Sequence, residues 1–85
     1  MVAEKDTYKF QRERIIRVVA EKAPGKQVSF DADSTMIKFR VVDPAAPSTS
    51  LTEGSGEWIP SEFADKFSTD NDLWKFIQKL SNGKL

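Results

Sequence analysis

A chain of 85 residues, 39% hydrophobic and 31% charged, can bury one small core but not two, so a single soluble domain over residues 1–85 is expected. It contains no histidine and no cysteine, which excludes Ser-His-Asp and Cys-His nucleophilic machinery, zinc held by nitrogen and sulfur, and any disulfide framework. Its 13 basic and 13 acidic residues cancel, whereas a dedicated nucleic-acid binder usually carries a clear basic excess.

The first residues, MVAEKDTYKFQRER, are charged where a signal peptide needs an apolar stretch, and no run of about 18 apolar residues follows anywhere. Export by that route and a membrane span are therefore not expected, and a cytoplasmic setting is. A helix is predicted from about Thr7 to Ala23. At 100° per residue Tyr8, Ile15, Val19 and Ala23 fall together, with Ile16 and Val18 at the edges of the stripe. Pro24-Gly25 ends it. Phe10, Arg14, Arg17 and Glu21 share the opposite face, which would hold an aromatic ring and two guanidinium groups together in solvent. Those residue types are enriched at binding hot spots. Against this stands a plain packing role for Phe10 at the helix start.

The period then changes from 3.6 to 2. Val28 and Phe30 alternate with Gln27 and Ser29, and Ile37, Phe39 and Val41 alternate with Lys38 and Arg40. Two antiparallel strands are expected, joined through Asp31-Ala32-Asp33-Ser34, with Phe30 opposite Thr35 and Val28 opposite Ile37. Lys38 and Arg40, with Lys26 nearby, then lie on the outer sheet face, where they could meet phosphates or simply be solvated. The paired acids Asp31/Asp33 and Asp70/Asp72 do not make a calcium loop, because counting from Asp31 places Met36 and Val42 where that loop needs glycine and an acid. They read as turn and cap residues.

Asp43-Pro44 ends the second strand. Residues 43–57 hold only Ala45, Ala46 and Leu51 as apolar residues among Pro, Ser, Thr and Gly, and are expected to form a long flexible loop whose hydroxyls could be modified or order on a partner. Gly54-Ser55-Gly56 lacks the spacing of a phosphate-binding loop. Trp58-Ile59 reads as a brief third strand with Trp58 in the core. Pro60-Ser61 opens a short helix carrying Phe63 and Phe67, and Ser68 to Asp72 supply cap residues for a last helix running to about Ser81 on a Leu73, Phe76, Ile77, Leu80 stripe.

The order α-β-β-(β)-α-α specifies an α+β fold, a small antiparallel sheet of two or three strands with the terminal helices on one face. In outline it is similar to double-stranded RNA-binding domains, but the last helix begins Thr69-Asp70-Asn71-Asp72 where those place lysines, so no family is assigned. The first 42 residues hold nine Lys/Arg against six acids and the remaining 43 hold four against seven, giving halves of +3 and −3. The residues therefore point to a small non-enzymatic module that binds another protein, with no metal and no cofactor. The alternative is a nucleic-acid-binding domain using the basic first half. The candidate binding residues are Phe10, Arg14, Arg17, Lys38 and Arg40.

Overall fold

In the computed structural model, which describes residues 4–31 and 35–85, the order is α1 (Glu4–Lys22), β1 (Gln27–Phe30), β2 (Phe39–Asp43), β3 (Ala46–Ser50), α2 (Pro60–Lys66) and α3 (Asp70–Ser81). The strands form one antiparallel sheet in the order β1-β2-β3. The helices pack with the inward strand residues around a core of Ile15, Val18, Val19, Ile37, Phe39, Val41, Phe63, Phe67, Leu73 and Ile77. This is the α+β arrangement expected from the alternation of periods.

Local chemistry sets the element ends. Gly25, at φ +87°, takes the left-handed turn that follows α1. Pro60 occupies the first turn of α2, where its missing N–H costs nothing. The Thr69 hydroxyl accepts from the Asp72 N–H at 3.1 Å to cap α3, and Asn82, at φ 51°, closes it.

The strand register differs from the one read off the turn residues. Phe30 lies opposite Phe39 and Val28 opposite Val41, four residues further along the second strand. An even slip leaves every side chain on its expected face, so Phe30, Phe39 and Val41 still point inward and Arg40 outward. Positions 32–34, the middle of the expected turn, lie outside the described residues. Ile37 turns away from β1 and bridges to Trp58 instead.

The segment 43–57 is not without structure. Asp43-Pro44-Ala45-Ala46 makes a tight turn in which the Asp43 carboxylate accepts the Ala45 N–H at 2.9 Å, and the chain returns as β3. The third strand is thus Ala46–Ser50, and the expected strand at Trp58-Ile59 reduces to the single bridge at Trp58.

Beyond β3 the chain runs along the same side of β2 and is held there by side chains. The Val41 N–H donates to Thr52 Oγ1 at 3.2 Å and the Phe39 N–H to Ser55 Oγ at 2.9 Å. Leu51 N–H donates to the Val41 carbonyl, and Ile37 and Trp58 exchange backbone bonds of 2.8 and 3.0 Å. Trp58 packs its ring against Phe63, Phe67 and Phe76 and donates its indole N–H to the Ser55 carbonyl.

Candidate functional site

The helix face holding Phe10, Arg14 and Arg17 does not assemble as a solvent patch. The buried side of α1 is Gln11, Arg14, Ile15, Val18 and Val19, rotated from the expected stripe, and Ile16 is exposed. Arg14 is only 9% exposed. Its Nε donates to Asp70 Oδ1 at 2.9 Å and its Nη1 to Gln11 Oε1 at 3.0 Å, while Nη2 is buried without a partner. Arg17 Nη1 donates to Asp70 Oδ2, also at 2.9 Å. The expectation that Arg14 faces solvent is therefore corrected: the two guanidinium groups clamp the first residue of α3. Phe10, 66% exposed, joins neither arginine in that clamp.

The electrostatics follow. Hydrogen bonds from Arg17 and then Arg14 hold the Asp70 carboxyl below the usual aspartate range, and the bond to Asp70 raises the Arg17 guanidinium above its ordinary value. Asp43 is also held low, by the Ala45 N–H first and by Lys26, whose ammonium lies 3.5 Å away, second.

Lys38 and Arg40 meet a different setting. Both lie on the outer side of the sheet and line a concavity of about 310 Å³, with Ser29 of β1 on one side and Ser50, Thr52 and Ser55 forming the wall on the other. Alternation along the strand directs the two cations outward, and the wall exists because the segment after β3 is fastened to β2. The wall was missed in the sequence. Its signal, hydroxyl residues spaced between a strand and a tryptophan, is the same as that of a mobile linker.

The hydroxyls of the wall are committed to the fold. Ser55 Oγ accepts from Phe39 and donates to the Gly56 carbonyl, Thr52 Oγ1 accepts from Val41, and Ser50 Oγ donates to the Thr52 carbonyl. None of these three is paired with a base as an activated nucleophile would be. Lys38 lies 3.7 Å from Glu57, both half-exposed, and Asp31 lines the concavity with an interaction of its own. Arg40 is exposed, and among the described residues it has no ion-pair partner.

Two other concavities carry less. One of about 240 Å³ between α1 and β1 includes Lys26, which is engaged by Asp43, and one of about 320 Å³ is lined by both Lys79 and Glu53. Among the described residues no group of three or more acids is placed to hold a metal ion, and no helix is long and apolar enough to cross a membrane. Compared with protein-family models, curated proteins and solved structures, the chain matches none.

Proposed function

We propose that this chain is a small non-enzymatic protein-interaction module whose binding site is the sheet-face concavity around Lys38 and Arg40. The observation that carries the reading is Arg40, an exposed guanidinium without an ion-pair partner among the described residues, standing over a walled depression. Arginine is enriched at interface hot spots because its planar fork pairs with carboxylates in two-pronged fashion. The cytoplasmic setting belongs to the same proposal and rests on the cysteine-free composition.

A nucleic-acid reading has Lys38 and Arg40 in its favour. It lacks a platform: Phe39 is buried, and Phe30 and Trp58 pack against the core cluster, so among the described residues of the sheet no aromatic residue is exposed for bases to stack on. The test is affinity capture from source cells with wild-type and Arg40→Glu baits, each with and without nuclease. Proteins that survive nuclease and are lost with Arg40→Glu support the proposal. Capture abolished by nuclease points to nucleic acid, and capture indifferent to Arg40 removes the concavity as the site.

A further inference from the structure

The groups left facing outward narrow what the concavity takes, an inference that rests on its being the binding site. The wall hydroxyls of Ser50, Thr52 and Ser55 are each bonded to the chain's own backbone. What remains for a ligand is the Arg40 guanidinium, the Lys38 ammonium, and Ser29 directly across from Arg40 in the β1–β2 pair. The carbon stems of the two cations add apolar surface between the charges.

Lys38 and Arg40 stand two residues apart with a buried residue between them, so in extended backbone their side chains rise from the same face about 6.7 Å apart. An extended ligand repeats its own side chains at that spacing. Lys38 is held by Glu57 at 3.7 Å in a pair with both ends half-exposed, an arrangement of little net worth in water that another carboxylate can replace. Glu57 thus keeps a place that a ligand carboxylate would take, while Arg40 waits for its first.

We infer that the concavity binds an extended acidic peptide segment with carboxylates at alternate positions, one on Arg40 and the next displacing Glu57 from Lys38. A continuous polyanion fits worse, since Asp31 and Glu57 flank the two cations and the chain carries no net positive charge.

Fluorescence anisotropy tests this with three labelled probes: a nine-residue peptide alternating Glu and Thr, the same composition with its glutamates in one block, and an oligothymidylate. The alternating peptide should bind tightest. Arg40→Glu should weaken it at least about tenfold, the loss of one charge-assisted pair. Glu57→Gln should tighten it about two- to fivefold by removing the competing carboxylate. Both positions are exposed, so matching thermal melts establish that the variants are folded.

Absence of binding, equal binding of the blocked peptide, tighter binding of the oligothymidylate, or no tightening by Glu57→Gln overturns the inference. If the peptide fails while nuclease-resistant capture still depends on Arg40, the ligand class alone is wrong. If capture is also indifferent to Arg40, the site itself falls.

Discussion

Replacing Asp70 with asparagine keeps the shape of the side chain and removes the charge that both Arg14 and Arg17 hold at 2.9 Å. Asparagine keeps one acceptor oxygen and turns an NH2 toward the other guanidinium, so at most one of the two bonds survives and no anion remains beside Arg14, whose buried Nη2 is already unpaired. Breaking a fully buried ion pair costs about 3–5 kcal/mol because a charge is stranded. Asp70, however, is 45% exposed, so water screens part of that loss. We expect about 2 kcal/mol, against a total stability of about 4–13 kcal/mol for a domain of this size. By thermal melts at pH 7 this is a fall of about 10 °C in Tm.

The pH dependence has a fixed sign. The folded-state pKa of Asp70 is lowered, so its contribution is fully present above the unfolded value of about 3.9 and is lost as pH falls through the lower folded value. Wild type and Asp70→Asn should therefore converge in acid. In an Arg14→Met background, which keeps the stem and deletes the buried charge, Asp70→Asn should cost much less. A Tm within about 2 °C of wild type at pH 7, or an equal deficit at both ends of the pH range, would refute this account of the clamp.

Three further outcomes are expected. Thr52→Val and Ser55→Ala each strand a buried backbone donor of β2, costing about 1–3 kcal/mol; hydrogen exchange should accelerate first at the Val41 and Phe39 amides, and unchanged protection there would count against the side-chain fastening. Carboxyl-carbon NMR should place the Asp43 titration below the ordinary aspartate value, and Lys26→Ala should restore only part of the shift because the Ala45 N–H is the larger cause. Phe63→Ala empties a fully buried site ringed by Phe39, Trp58 and Phe67; urea unfolding should show a loss of about 3–5 kcal/mol, and a loss below about 1 kcal/mol would mean the ring is not part of the core.

The sequence was informative where a pattern is local. The α3 stripe and its Thr69 cap, the outward direction of Lys38 and Arg40, and the inward direction of Phe30 and Phe39 all follow from periodicity and cap chemistry. Register does not, because alternation determines the face of a strand but is blind to any even slip. β3 carried no signal, since Ala46-Pro47-Ser48-Thr49-Ser50 has no apolar alternation and a proline. The helical angle of Arg14 alone directs it to solvent. The carboxylate that pairs it in the folded chain is Asp70, 56 residues away, which no window over α1 can see.

The side-chain fastening of β2 has a bearing on self-association. An ordinary added strand would turn its own far edge to solvent and offer it to the next molecule. Here hydroxyls take the place of that strand, and the Glu53 N–H leaves the plane of the sheet to reach the Leu80 carbonyl at the end of α3. Beside Phe39 and Val41 the amides of β2 meet side-chain oxygens, and Pro47 removes one amide from the short strand next to it. On this flank the molecule carries its own stop against polymerisation, built from two hydroxyl groups.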